Sequence, residues 1–454
     1  MYHDLTKGNI LKSLILFALP MMVGNILQQF YNIADTLIVG RILGENALAA
    51  VGSAYTLMTF LTSIFLGLSL GSGAVFSIYQ GKGDKRALRV SIGHAFFLIM
   101  AVTVVINVIV YIFINQILVF LRVPDNVLGG MKEYLIVIFA GIIATSVYNF
   151  FACLLRAIGN STIPLVFLGV SAVINIGLDI LFVAVLSFGI SGAAFATVLA
   201  QYISALGIVI YFINKCKAII PKGDELKFDK NVLKEILNLS SMTCIQQSIM
   251  NFGILMVQGL VNSFGSTIMA AFAAAVKIDT FAYLPVQDFG NAYSTFIAQN
   301  YGAKNYKRIK EGTKKSFAIS IIFGVIISAV VVLMAEPLMK IFVGSNQMQV
   351  VLAGVKYLRI EGAFYFAIGC LFLLYGYYRA VKCAEMSVVL TVISLGMRVL
   401  LAYVLSAYIG EVGIWLSIPI GWILADVTGL LYMKFVIKHE IKGRIRIHIL
   451  QSRM

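Results

Sequence analysis

The sequence LVFLGVSAVINIGLDILFVAVL (165–186) is long and apolar enough to form a helix that crosses a membrane. It contains one ionisable residue, Asp179. An acid at the centre of a membrane helix raises the free energy of insertion by about 2.5–3.5 kcal/mol. A residue kept at that cost indicates a function within the membrane.

The composition of the whole chain is that of a membrane protein. Of its 454 residues, 60% are hydrophobic and 12% are charged, whereas soluble domains carry about 25% charged residues. The net charge of +15 comes from Lys and Arg residues that cluster in short connections between apolar segments. This pattern reports membrane topology, so we expect a lipid bilayer around the chain and no nucleic-acid partner.

Twelve segments reach the length of about 20 apolar residues that a membrane helix needs. The predicted helices 1 to 12 occupy residues 14–38, 48–76, 91–120, 134–157, 163–186, 190–213, 235–262, 268–298, 315–343, 350–379, 386–408 and 412–437. The termini, the loops after helices 2, 4, 6, 8 and 10 and the adjoining helix ends carry 27 Lys and Arg residues, against six in the loops and helix ends on the other side. Both termini are therefore expected in the cytoplasm.

The two halves of the sequence repeat each other. NILKSLILFALP (9–20) aligns with NVLKEILNLSSM (231–242), and residues 134–159 align with residues 357–382, which places Arg156 on Arg379. Parallel repeats of this kind are a recurring design of secondary transporters, which bind substrate between the repeats.

The repeat predicts an all-α integral membrane protein with twelve transmembrane helices in two pseudo-symmetric six-helix lobes around a central cleft. The predicted domains are an N-lobe (1–214), a cytoplasmic linker (215–234), a C-lobe (235–438) and a basic cytoplasmic tail (439–454).

Four polar residues of the first half are expected at similar depth in the membrane. Asp35 and Asp179 lie in the outer halves of predicted helices 1 and 5, which run in the same direction. Asn175 shares a helix face with Asp179 by the i, i+4 rule, and Thr197 in helix 6 reaches a similar level. Two neighbouring carboxylates in a low dielectric retain a proton or hold a cation between them. The set predicts a coupling site for H⁺ or Na⁺; the alternative is that each acid pairs with a buried Lys or Arg for structure.

The second half carries its ionisable residues at other positions. They are Lys277, Asp279, Asp288, Glu361, Arg398 and Asp426. Pairing within the bundle is favoured for Lys277, Asp279, Asp288 and Arg398, while Glu361 is expected near the outer end of helix 10. Asp288 follows Pro285, where a broken helix would expose backbone groups to a cavity. The coupling chemistry is therefore expected in the first half alone.

Amides and aromatic side chains also occur within the apolar helices. A cleft lined by these side chains would suit bulky, flat cations through cation–π contacts, and interhelical hydrogen bonding is the alternative role for them.

The five cysteines form no CxxC pair, so neither a disulfide framework nor a zinc site is predicted. The sequence has no P-loop motif for ATP, so an ion gradient or a partner must supply the energy and no cofactor is expected.

Two long stretches carry a family resemblance. LPMMVGNILQQFYNIADTLIVGRILGENALAAVG (19–52) and LLRAIGNSTIPLVFLGVSAVINIGLDILFV (154–183) resemble the multidrug and toxic compound extrusion (MATE) exporters. The resemblance implies two lobes around a V-shaped cleft and substrate efflux coupled to inward H⁺ or Na⁺. It implies that Asp35, Asn175, Asp179 and Thr197 form the cation site of the N-lobe. It also places Gln28, Tyr31, Tyr134 and Asn149 in the cavity of that lobe.

The sequence departs from one branch of the family, which has acids in helices 7 and 10. Helix 7 has Gln246 and Gln247 here, so a sodium site in the C-lobe is not expected. The favoured hypothesis is a monomeric antiporter of a prokaryotic plasma membrane that exports organic, cationic compounds in exchange for H⁺ or Na⁺. A lipid-linked precursor flippase is the alternative, and an intramembrane enzyme is disfavoured.

Overall fold

The computed structural model of the chain describes residues 4–120, 125–343 and 347–451. Within these ranges the regular secondary structure is helical, without a strand. The α-helices are α1 (Ile10–Leu43), α2 (Glu45–Lys82), α3 (Lys85–Phe120), α4 (Asp125–Ala140), α5 (Ile142–Ala157), α6 (Thr162–Asp179), α7 (Gly189–Lys215), α8 (Lys230–Asn262), α9 (Ser266–Gly302), α10 (Tyr306–Leu333), α11 (Ala335–Val343), α12 (Met348–Gly362), α13 (Tyr365–Ala380), α14 (Ala384–Ile409) and α15 (Glu411–Gln451). A π-helical segment, Ile180–Val185, follows α6 directly.

The prediction of twelve membrane helices is confirmed. Ten helices of the described ranges are each long and apolar enough to cross a membrane, and the bent pairs α4–α5 and α12–α13 bring the number to twelve. The bends measure 45° and 51°. Predicted helix 9 (315–343) is wrong at its end, because α10 stops at Leu333 and the short α11 follows. Pro337 explains the break, since its ring would clash with the carbonyl group four residues earlier in a continuous helix.

The chain divides into two compact units. The first comprises residues 1–252, 291–315 and 379–384, and the second comprises residues 253–290, 316–378 and 385–454. Buried apolar clusters fill the first unit, and one of them includes aromatic rings in edge-to-face contact, such as Phe150 and Phe151 at 5.1 Å between centroids. The predicted lobe boundaries follow the sequence repeat instead and stay a prediction.

The bend at Gly141 separates α4 from α5 and takes carbonyl groups out of the helical hydrogen-bond ladder. Asn107 Nδ2 donates to the carbonyl oxygen of Phe139 at 2.8 Å. Tyr202 Oη donates to the carbonyl oxygen of Ala140 at 2.9 Å. An unpaired backbone group in the membrane would cost several kcal/mol, so these two side chains stabilise the bent form of the span.

Glycines bring α2 and α8 into backbone contact within the first unit. A Cβ atom added to Gly67 would lie 2.5 Å from the Cα atom of Cys244, and one added to Gly71 would lie 2.5 Å from the Cα atom of Ser240. The hydroxyl oxygens of Ser72 and Ser240 are 2.9 Å apart and share a hydrogen bond. Small residues allow this close packing, which supports association of membrane helices.

Gly71→Ala is expected to destabilise the protein by about 1–3 kcal/mol, because the new methyl group has to push two helix backbones apart. Gly73→Ala is the matched control, since a Cβ atom there would meet the side chain of Cys153 at an ordinary 3.5 Å. Denaturant titration of both variants in the same detergent measures the difference in the free energy of unfolding. Equal stability of the two variants would contradict the packing argument.

The linker between α7 and α8 is attached to α3. Arg89 Nη2 donates to Glu225 Oε1 at 2.6 Å, and this hydrogen bond is the main reason that the pKa of Glu225 falls to about 2. The backbone N–H of Asp229 donates to His94 Nε2 at 2.9 Å. These contacts fix the path of the chain into α8.

Arg308, near the start of α10, holds the segment that precedes α1. Its guanidinium donates to the carbonyl oxygens of Leu5 at 3.1 Å, Lys7 at 2.6 Å and Gly8 at 2.7 Å. Asn300 Nδ2 also donates to the carbonyl oxygen of Leu5, at 3.1 Å. Leu5 is fully buried, so this segment is part of the packed first unit.

Candidate ion-coupling site

Asp179 lies at the junction between an α-helix and a π-helix. It is the last residue of α6, and the π-helical segment Ile180–Val185 begins directly after it. The N–H group of Leu186 bonds the carbonyl oxygen of Leu181 at 2.9 Å, a five-residue spacing. Single-turn π segments occur frequently at functional sites. Asp179, whose burial in a membrane helix raises the free energy of insertion, therefore also lies where the regular helix geometry changes.

Asn175 and Thr197 are brought together as the sequence predicts. Asn175 Nδ2 donates to Thr197 Oγ1 at 3.3 Å, which connects α6 with α7. Asn175 and Asp179 are both buried, with 2% and 0% of their surface exposed. The i, i+4 spacing on α6 therefore produces a polar strip, and α7 contributes to it.

Asp35 comes from α1, which packs against α6 within the first unit. The carboxyl groups of Asp35 and Asp179 are close enough for their charges to interact. The two acids, predicted to share a depth in the membrane, therefore lie in one neighbourhood. Asn175 connects this neighbourhood to Thr197.

The cavity residues implied by the family resemblance divide into two sets. Tyr31 is hydrogen-bonded to Gln28, and the charges of Asp35 and Asp179 act on its hydroxyl group. The hydroxyl group of Tyr134 is within the field of the same two acids. Asn149 instead forms a hydrogen bond within its own helix, in which its Nδ2 atom donates to the carbonyl oxygen of Thr145 at 2.9 Å.

One further polar residue lies on the same helix as Thr197 and is missing from the sequence prediction. Gln201 follows Thr197 by one helical turn, and its Oε1 atom is buried without a hydrogen-bond partner. It packs at the α4–α5 bend, where a Cβ atom on Gly141 would lie 2.4 Å from that oxygen. The i, i+4 spacing from Thr197 is the signal that could have identified it.

The chemistry of the site follows from an excess of acceptors. Buried oxygen atoms without a hydrogen-bond donor are found on Asp35, Asn175 and Asp179, and both carboxylate oxygens of Asp179 belong to this set. Buried acceptors in native proteins are nearly always paired. A proton on a carboxyl group would supply a donor, and a bound alkali cation would be held by hard oxygen ligands. The arrangement can therefore take up one positive charge.

A second buried polar cluster lies in the second unit. Tyr357 Oη donates to Asp279 Oδ2 at 2.6 Å, and the hydroxyl of Tyr365 donates to the other carboxylate oxygen. The charges of Glu361 and Arg398 act on each other and on Asp279. The sequence favours pairing within the bundle for Asp279 and Arg398 but places Glu361 apart from them. It does not identify either tyrosine, because they lie 78 and 86 residues from Asp279 along the chain.

The remaining ionisable residues of the second half have varied surroundings. Lys277 is exposed, whereas Asp288 and Asp426 are buried. The expectation of a broken helix at Pro285 is wrong, because α9 runs without a break from Ser266 to Gly302. Proline removes one N–H donor, and neighbouring groups in a membrane protein can satisfy the carbonyl oxygen that is freed.

No group of three or more His, Cys, Asp and Glu side chains in the described ranges is arranged to hold a metal ion. The oxygen-rich set around Asp179 contains only two such residues and otherwise consists of amide and hydroxyl groups.

Comparison of the chain with known proteins identifies its family. The MatE family profile matches residues 20–181 and 241–404. The probable multidrug resistance protein YpnP of Bacillus subtilis is 30% identical over 437 residues, which cover 95% of this chain and 97% of that protein. A relative from the same organism, the probable multidrug resistance protein YoeA, is 26% identical over 446 residues, which cover 96% of each.

A solved structure has the same fold. It is the outward-facing conformation of a multidrug resistance MATE family transporter, with a TM-score of 0.91 at 23% sequence identity, covering 96% of this chain and 98% of that one. The MATE family is a family of transporters rather than of enzymes. The resemblance seen in the sequence is confirmed, and the chain belongs to the MATE family of multi-pass membrane transporters.

Proposed function

We propose that the chain exports many different organic compounds, mainly cationic drugs, in exchange for H⁺ or Na⁺. The coupling ion enters through the first unit. The observation that carries the proposal is the group of donor-free buried oxygens around Asp35 and Asp179. A site whose buried oxygen acceptors have no hydrogen-bond donor is suited to bind a proton or a metal cation as the coupling ion. The family membership supports transport, and two relatives named as probable multidrug resistance proteins support multidrug efflux.

Binding of one proton or cation is expected to change the structure locally. With both acids charged, Asp35 on α1 and Asp179 at the end of α6 repel each other. One added positive charge removes that repulsion and lets α1 approach the polar strip of α6. The π-helical segment after Asp179 gives α6 a place to adjust without breaking its backbone hydrogen bonds. This shift of α1 would favour substrate release outward, and loss of the ion would restore the drug-accepting state.

The substrate class follows from the charge of the same region. Tyr31 and Tyr134 lie in the field of the two acids, and aromatic faces with negative charge nearby favour organic cations. A substrate cation and the coupling ion would then compete for the same negative field, which couples their movements. The proposal includes a monomer in a bacterial plasma membrane, two lobes around a cleft, and both termini in the cytoplasm.

Transport by the purified protein in proteoliposomes tests the proposal. The export of ethidium is followed by fluorescence while a pH gradient and a sodium gradient are imposed separately. We expect one of the two gradients to drive ethidium against its concentration and the other to be without effect. Ethidium movement that neither gradient accelerates would contradict ion-coupled antiport.

A further inference from the structure

A cavity within the first unit is lined by two arginines that the repeat places at equivalent positions. Arg156 is the penultimate residue of α5, and Arg379 is the penultimate residue of α13. The cavity is partly open to its surroundings. Its wall also includes Cys153, Asn291 and Ser294.

Arg379 hydrogen-bonds two neighbouring polar side chains of the cavity wall. Arg379 Nη2 donates to Asn291 Oδ1 at 2.9 Å, and Arg379 Nε donates to Ser294 Oγ at 3.2 Å. Asn291 and Ser294 accept in these two bonds, and by their chemistry the Nδ2 group of Asn291 and the hydroxyl group of Ser294 can also donate.

The charges of the two arginines are not balanced by acids. Arg379 is 5% exposed, and the Nε atom of Arg156 is buried without a hydrogen-bond partner. Neither residue takes part in any ion pair found in the described ranges, and the cavity wall contains no Asp or Glu. The thiol group of Cys153 lies in the field of both guanidinium groups, which places the two positive charges around one point.

Two guanidinium groups without a carboxylate would repel each other in a low-dielectric setting. The negative ends of the dipoles of α5 and α13 offset part of this charge, and an anion would offset the rest. Guanidinium groups match the paired oxygens of a phosphate group, which they bind with two parallel hydrogen bonds. The neutral donors of Asn291 and Ser294 add to this preference.

We propose that Arg156 and Arg379 form a binding site for a phosphate group, which joins the ends of α5 and α13 and is distinct from the acidic site around Asp179. The phosphate group comes either from inorganic phosphate or from the headgroup of an anionic phospholipid. A bound phosphate would stabilise the contact between these helix ends, and with it the first unit. The site attracts charge of the opposite sign to that of the coupling ion.

Binding of radiolabelled inorganic phosphate to the purified full-length protein, in a neutral detergent and a phosphate-free buffer, tests the site. We expect saturable binding of one phosphate per chain, and at least a tenfold loss of affinity in Arg156→Gln and in Arg379→Gln. Arg86→Gln is the matched control, because Arg86 is exposed and does not line the cavity. Each variant is first checked by size-exclusion chromatography, and Arg379→Lys, which keeps the charge, replaces Arg379→Gln if that variant fails to fold.

A second arm identifies the source of the phosphate group. Phosphatidylglycerol added to the micelles is expected to displace the label if a lipid headgroup occupies the site, whereas phosphatidylcholine serves as the control lipid. Failure of phosphatidylglycerol to displace a label that depends on both arginines assigns the site to free phosphate. Absence of specific binding of either probe, or equal binding by the wild type and both cavity variants, would overturn the proposal.

Discussion

Asp179→Asn is expected to reduce ion-coupled export of ethidium to the background of protein-free liposomes, while the protein keeps its elution profile and thermal stability. Asparagine has nearly the shape of aspartate but can neither gain a proton nor carry a negative charge. It would therefore hold the site in one charge state. Asp179 has two buried oxygens without a donor, so the substitution also supplies a donor and should not unfold the chain. Initial rates of ethidium efflux under an imposed gradient provide the measurement.

Asp35→Asn is expected to give the same loss, because the two carboxyl groups act on each other. The matched control is Asp224→Asn, since the side chain of Asp224 is 86% exposed in a surface ion pair. That variant should transport at the wild-type rate. Full ethidium export by the purified Asp179→Asn or Asp35→Asn protein would refute the assignment of the coupling site, even if antiport itself is observed.

Arg398→Met is expected to destabilise the second unit by about 3–5 kcal/mol, the range for removing one partner of a buried charge interaction. The charge of Arg398 acts on both Asp279 and Glu361. Without Arg398, two buried acids would face each other with no cation. Denaturant unfolding in mixed micelles measures the loss, and Arg359→Met, which removes an exposed arginine, is the control.

The double variant Arg398→Met with Asp279→Asn separates this explanation from simple loss of packing. Removing one acid together with the arginine lowers the charge that is left unbalanced, so part of the lost stability should return. Asp279→Asn alone should cost less than Arg398→Met, because Glu361 still balances the arginine. Additive effects of the two substitutions would show that the charges do not stabilise each other.

The sequence predicts well those features that depend on local spacing. Twelve apolar segments give the twelve membrane helices, and the i, i+4 relation between Asn175 and Asp179 survives as a polar strip on α6. The proximity of Asp35 and Asp179 could be predicted because both acids lie in the same part of two helices that run in the same direction. These inferences require only the length and the orientation of single helices.

Features that depend on distant partners could not be predicted. Asp279 finds its donors on Tyr357 and Tyr365, and neither spacing nor composition reveals which faces of α9, α12 and α13 meet. The repeat did align Arg156 with Arg379, but sequence alignment cannot show that equivalent residues line one cavity. The π-helical segment after Asp179 also depends on surrounding packing, because its residues are ordinary apolar helix formers.

The hydrogen bonds from Arg308 to the carbonyl groups of Leu5, Lys7 and Gly8 have a consequence for folding during synthesis. About 300 residues separate the two partners along the chain, so the segment before α1 leaves the ribosome long before its partner does. At synthesis rates of about 5–20 residues per second, the delay is about 15–60 s. The first unit, which also needs residues 379–384, therefore cannot finish folding until most of the chain has been inserted. A ribosome that stalls before α10 leaves behind inserted helices whose first unit lacks a closing contact, a form that quality-control proteases could recognise.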